Sequence, residues 1–216
     1  MNFGDLTLKY ELSTNALYPY FRQFAYFMQN IIWLIKGKSE SPPHFQKQII
    51  LKRYAGLYGS KIFIESGTYF GDMIWCQKNN FKKYYSIELS EYLYKLSLKR
   101  FKSNPAVQIL NGDSGKVLFD LMKAIDQDPK LFWLDGHYSA GVTAKGEKNC
   151  PVIEELNAIL PHLKTQDVIL IDDAPYFNGQ NDYPSVQELK AIVQKNAPHF
   201  NVSLDSGILV IASSRT

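Results

Sequence analysis

Five short apolar runs in this sequence end in or beside a carboxylate, at Glu65, Glu88, Asn111-Gly112-Asp113, Asp135 and Asp172-Asp173. If the runs are strands of one open α/β sheet, these acids arrive together at its carboxyl edge, where such sheets bind ligands. Glu65 leads into Ser66-Gly67-Thr68-Tyr69-Phe70-Gly71-Asp72. Gly67 lets this turn approach a ligand, and Gly71 lets the next helix pack close to the strand. Glu88 can accept hydrogen bonds from ribose hydroxyls, and Asp113, on a turn opened by Gly112, can accept from an adenine amino group. Neighbouring strand ends bring Asp135, Asp172 and Asp173 together without a counter-charge, so that they repel and shift each other's pKa. A hard divalent cation such as Mg²⁺ resolves that repulsion and keeps waters for a substrate to replace. His137 follows Asp135 closely and, titrating near neutral pH, can take a proton from a hydroxyl. Taken singly, each acid reads as a surface group or helix cap, and His137 as a loop histidine. Asp172 and Asp173 also read as a cap or as partners of a lysine such as Lys145. His44, His162 and His199 receive no role.

The elements that must position these residues follow from the pattern. Strands are expected at Lys61–Glu65, Lys83–Glu88, Val107–Asn111, Leu131–Asp135 and Val168–Asp172. Helices are expected at Asp72–Asn79, Glu91–Phe101, Lys116–Asp126, Pro151–Leu163 and Ser185–Asn196. Strict alternation of this kind implies βαβ units and a parallel sheet covered on both faces. Two final β runs, Phe200–Leu204 and Ile208–Ala212, are joined only by Asp205, Ser206 and Gly207. So short a link has no room for a crossover helix, and these two pair antiparallel. The fold class is therefore α/β, a Rossmann-like, doubly wound seven-stranded sheet, mostly parallel with an antiparallel last strand.

Residues 1–58 have a different, aromatic texture and read as an N-terminal helical cap on a domain of residues 59–216, the break lying near Tyr58-Gly59-Ser60. Leu17, Phe21, Phe24, Met28, Ile31, Ile32 and Ile35 recur at the spacing of one helix face. Lys36, Lys38 and Pro42-Pro43 end that helix, and a second runs from Phe45 to Tyr58. The plain reading packs the apolar face on the domain edge. A homodimer contact, a substrate lid and a membrane-interface helix are the alternatives, the last weakened by Gln29 and Asn30.

With 216 residues, 45% hydrophobic and 21% charged, the chain suits one globular domain. A net charge of +3 without a concentrated basic stripe argues against a nucleic-acid partner. Cys76 and Cys150 lack a zinc or thiol-redox spacing and are expected free. The absence of a secretory or membrane-spanning pattern makes a cytoplasmic enzyme the expectation.

Glu65-Ser-Gly-Thr-Tyr-Phe-Gly-Asp72, Ser86-Ile-Glu-Leu89 and Asn111-Gly-Asp-Ser114 resemble the first three cofactor motifs of class I S-adenosylmethionine-dependent methyltransferases. The closing antiparallel pair resembles the reversed last strand of that family, and the likeness spans residues 59–216. It implies cofactor contacts from Glu65, Gly67, Thr68, Tyr69, Gly71, Asp72, Glu88, Leu89, Asp113, Ser114 and Asp135. Thr68, Tyr69 and Phe70 depart from the small residues usual in the first motif. Asp135, His137, Asp172 and Asp173 resemble the site of metal-dependent O-methyltransferases, of the catechol type and of those acting on sugars of macrolides and aminocoumarins. That resemblance implies Mg²⁺ on Asp135, Asp172 and Asp173, with His137 as general base and Asp135 beside it in catalysis. The acceptor would be a small molecule or glycan hydroxyl. The Ser139–Asn149 loop, with Lys145 and Lys148, and the Tyr176–Tyr183 segment are candidate walls for it. Two other readings compete, a nicotinamide-dependent oxidoreductase and a non-catalytic binding or assembly protein.

Overall fold

The computed structural model describes residues 17–37, 41–125, 127–135 and 150–214. Its centre is a seven-stranded sheet in the order β3-β2-β1-β4-β5-β7-β6. The strands are β1 (Ile62–Ser66), β2 (Lys83–Glu88), β3 (Val107–Asn111), β4 (Lys130–Leu134), β5 (Val168–Ile171), β6 (Phe200–Asp205) and β7 (Ile208–Ser213). β1 to β5 run parallel, and β7 lies antiparallel between β5 and β6. β1, β4 and β5 are buried along their whole length, which is why they read as unbroken apolar runs.

The helices among the described residues are α1 (Tyr18–Ile35), α2 (His44–Tyr58), α3 (Asp72–Gln77), α4 (Glu91–Phe101), α5 (Ser114–Ala124), α6 (Val152–Ile159) and α7 (Val186–Asn196). Side chains alternate across the strands, so two cores form. Ile62, Ile64, Phe132 and Leu134 pack with Leu118 of α5, Leu156 of α6 and Leu189 of α7. Phe63, Leu131 and Trp133 pack on the other face with Ile50 and Leu51 of α2 and Ile74 of α3. The chain builds β1, β2 and β3 outward in one direction, then returns to set β4 on the other side of β1. That reversal opens a crevice beyond the carboxyl ends of β1 and β4.

The expected elements are all present, with shifted ends. The expected helix at 151–163 is α6 followed by a 3₁₀ turn, Leu160–His162. The helix expected from Lys116 begins at Ser114, because Asp113 caps it by accepting from the Lys116 amide at 3.3 Å. Gly59 ends α2 in a left-handed turn with φ 62°, which explains the change of texture there. Cys76 and Cys150 are both free.

α1 departs from expectation. Its apolar stripe does not pack on the domain: Phe21 is 70% and Ile35 79% exposed, and Leu17, Phe24, Met28 and Ile32 are exposed with them. Pro19 and Asn30 are the buried residues of this helix. Its attachment is polar and aromatic instead. Arg22 pairs with Asp72 at 2.7 Å, the Tyr26 hydroxyl donates to Asp72 at 2.9 Å, and Tyr20 meets Trp75 edge to face. Asn30 thus lies off the apolar stripe and does not interrupt it. No helix among the described residues is long and apolar enough to cross a membrane.

Gly71 caps α3 at φ 74°, and a Cβ built there would lie 2.5 Å from Cε2 of Phe101. Gly71→Ala is expected to cost about 1–3 kcal/mol, from backbone strain and from displacement of the Phe101 ring. Denaturant unfolding measures this, and an unchanged midpoint would refute it.

Candidate functional site

The turn after β1 is organised by β2. The amides of Gly67 and Thr68 donate to the Ile87 carbonyl at 2.9 and 3.2 Å. Gly67 holds φ 81° and Tyr69 φ 51°. The Tyr69 amide then donates to Glu88 Oε2 at 2.8 Å, while Glu88 Oε1 accepts from Ser90 at 2.9 Å. Glu88 therefore helps shape the turn. A carboxylate offers about four lone-pair sites, so these amides leave room for a ligand hydroxyl. Burial raises its pKa against the pull of these amides.

Glu65 lies beneath the turn, 2% exposed, and accepts from the Ser86 hydroxyl at 2.5 Å. Thr68 Oγ1 meets the same hydroxyl at 2.5 Å. Burial pushes the Glu65 carboxyl up to about 8, helped by the charges of Asp135 and Glu88, so at neutral pH it is mainly protonated. Asp72 opens α3, and its carboxylate is shared by Arg22, Arg100 at 2.8 Å and Tyr26. Burial opposes its ionisation, but the two guanidiniums outweigh burial and hold the pKa below the usual carboxylate range. The side chain of Asp72 thus joins α1 to α4. Asp113 spends one oxygen on the cap of α5, Ser114 is the first residue of that helix, and Leu89 is partly exposed just after β2.

Asp135 and Asp172 sit side by side past β4 and β5. The Asp135 amide donates to the Ser66 carbonyl at 3.3 Å, and the Asp172 amide to the Leu134 carbonyl at 3.0 Å. Asp173 turns away at φ 55°, and its amide donates to Asp172 Oδ1 at 2.8 Å. Neither side chain caps the 3₁₀ turn that follows, Ala174–Tyr176.

These acids do have a counter-charge. The ammonium of Lys47, one turn into α2, hydrogen-bonds Asp172 Oδ2 and lies 3.9 Å from Asp173 Oδ1. This corrects the premise on which a divalent cation was expected. Burial and the charge of Asp135 push Asp172 up from the ordinary range, against the pull of Lys47. Among the described residues, no three His, Cys, Asp or Glu side chains converge to hold a metal ion. With an ammonium between Asp172 and Asp173, this set of donors does not fit Mg²⁺ as it stands.

His44, one turn before Lys47, stacks on Tyr26 at 4.3 Å and bonds Gln48 at 2.8 Å. Burial drives its pKa down to about 4, leaving it neutral beside Asp72 and Asp135. Sequence reasoning gave no role to Lys47, His44 or Arg22. Their nearness to the site depends on how α1 and α2 dock, which no local spacing reports. His137 and the Ser139–Asn149 loop lie outside the described residues.

Three solved structures share this architecture. An O-methyltransferase of Bacillus cereus in complex with S-adenosylhomocysteine has a TM-score of 0.56 at 14% identity, over 88% of this chain and 90% of its own. TomG of Streptomyces achromogenes, an O-methyltransferase of tomaymycin synthesis in complex with S-adenosylmethionine, has a TM-score of 0.57 at 14% identity, over 82% and 83%. A methyltransferase of Podospora anserina bound to S-adenosylhomocysteine has a TM-score of 0.56 at 15% identity, over 83% and 81%. The chain has the class I methyltransferase fold. No family model and no curated relative matches its sequence. In this methyltransferase fold, the crevice beyond β1 and β4 carries the Gly67 turn, Glu88, Asp113 and Asp135 along one edge. The expected antiparallel β7 is also present.

One buried acid near the crevice carries its own prediction. Glu155 of α6 is 1% exposed, and its Oε1 has no hydrogen-bond partner among the described residues. Burial pushes its carboxyl up to about 7, with the Ser114 and Ser66 hydroxyls pulling back only in part. The folded protein then binds this proton more tightly than the unfolded chain. The contribution to stability is full below the ordinary carboxylate range and is lost as pH rises towards about 7. Glu155→Gln should match the parent in Tm at about pH 3.5 and exceed it at about pH 8. A gap that shrinks with rising pH would contradict this.

Proposed function

We propose that the chain is an S-adenosylmethionine-dependent O-methyltransferase acting on a hydroxyl of a carbohydrate or similar small metabolite. The observation that carries the reading is the polar edge of the crevice, where the turn at Gly67 and the carboxylates of Glu88 and Asp113 end three successive strands. The residues present suit the cofactor. Gly67 allows close approach of its methionine part, Glu88 keeps lone-pair capacity for the ribose, and Asp113 keeps an oxygen for the adenine amino group. S-adenosylmethionine supplies an activated methyl group on a sulfonium.

The protein's part is to orient the acceptor and remove its proton. His137 is the proposed general base, with Asp135 beside it. Support for a sugar acceptor comes from the segment after β5. Tyr176 is exposed there, its ring 5.8 Å from that of the half-buried Tyr183. Aromatic faces of this kind cover the apolar faces of sugar rings. No step is routed through Mg²⁺, because Lys47 already occupies its carboxylates.

Calorimetric titration with S-adenosylhomocysteine tests the class, and the absence of binding would end it. Glu88→Gln should weaken that binding about tenfold or more, the worth of a charged hydrogen bond. His137→Ala should keep cofactor binding and lose most of kcat; near-normal turnover removes His137 from the mechanism.

A further inference from the structure

Lys47 stands where a cation was called for. Its side chain is 16% exposed, and its ammonium touches Asp172 and lies 3.9 Å from Asp173. Asp135 also acts on it electrostatically. The same three acids were the expected ligands of a divalent metal. Burial alone would discharge this lysine, but the charges of Asp172, Asp135 and Asp173 outweigh burial and hold its pKa above the ordinary range.

The lysine is also held in place by its helix. Ile50 and Leu51, on the next turn of α2, are buried against the sheet beside Phe63, Trp133 and Leu170. The Gln48 carbonyl accepts from Gln77 Nε2 at 3.1 Å, and Arg53 and Tyr54 bond Asp205 at the β6–β7 turn. A dication entering between Asp172 and Asp173 would have to displace an ammonium whose backbone is anchored at several points.

We propose that Lys47 replaces the divalent cation: its ammonium, seated on Asp172 and Asp173, binds the acceptor oxygen, and methyl transfer proceeds without metal. This rests on the methyltransferase reading above. An ammonium has three N–H donors. Asp172 accepts from one, and Asp173 lies beyond hydrogen-bond distance at 3.9 Å, so donors remain for the acceptor. In the step itself, the acceptor O–H proton passes to the general base, an oxygen–methyl bond forms and the sulfur–methyl bond breaks. The sulfonium becomes a neutral thioether. Lys47 keeps its protons throughout and steadies the negative charge that grows on the oxygen.

The test measures metal binding separately from turnover. Lys47→Met keeps the length of the side chain and removes the ammonium from Asp172. Mn²⁺ uptake is followed by the paramagnetic resonance of the free ion, and S-adenosylhomocysteine binding in EDTA by calorimetry. The wild-type protein should bind S-adenosylhomocysteine in EDTA and leave the Mn²⁺ signal undiminished. Lys47→Met should take up one equivalent with affinity raised about tenfold or more, and Asp172→Asn in the same protein should abolish the uptake. Lys47→Gln, with a melting curve, serves if the methionine variant is unstable. One equivalent of Mn²⁺ on the wild type that Asp172→Asn removes would overturn the proposal, as would equal uptake by wild type and variant. Failure of S-adenosylhomocysteine to bind any of these proteins would sink the methyltransferase reading, while the Mn²⁺ result would still judge Lys47 as the occupant of the site.

Discussion

The carboxyl edge of the sheet collects more negative charge than its own strands and turns can balance. Parallel strands deliver their polar ends to one side, and here they deliver Glu65, Glu88, Asp135 and Asp172 to a largely buried crevice. An acid in such a place must be neutralised by a proton or by a cation. Glu65 takes the first course, and Asp72 and Asp172 the second. Arg100 supplies part of the charge from within the sheet-forming region. The rest comes from Arg22 and Lys47 in the preceding helices. The placement of α1 and α2 follows from that demand as much as from apolar burial.

α2 meets the demand by conventional means, since Ile50, Leu51 and Ala55 join the core on one face of the sheet. α1 does not. It is held by Arg22, Tyr26 and Tyr20, while Phe21, Phe24 and Ile35 face outward. The strength of that attachment lies in a few partly buried polar contacts around Asp72.

Much of the fold was legible because its signals are local. The runs at Ile62–Ser66, Lys130–Leu134 and Val168–Ile171 are apolar without alternation, as strands covered on both faces must be. The tight link at Asp205-Ser206-Gly207 required an antiparallel pair, and one is present. The acids at the strand ends were legible for the same reason. What escaped was relational. The spacing of Leu17, Phe21, Phe24 and Met28 reports a single face, not the direction in which that face points. Lys47 sits among Gln46, Gln48 and Ile49 with no local mark of its partner. The capping of α5 by Asp113 and the hold of Glu88 on Tyr69 are second uses of residues first read for a ligand.

The pairing of Lys47 with Asp172 spans 125 residues, and that of Arg53 with Asp205 spans 152. Contacts so distant in sequence must wait for the elements between them, whereas β1, β2 and β3 join through short crossovers. During synthesis α1 and α2 leave the ribosome ahead of β5, yet α2 has no acid to meet until β4 and β5 have paired. The place of the Lys47 ammonium beside Asp172 and Asp173 therefore depends on α2 being docked on a finished sheet, and not on any segment of the chain alone.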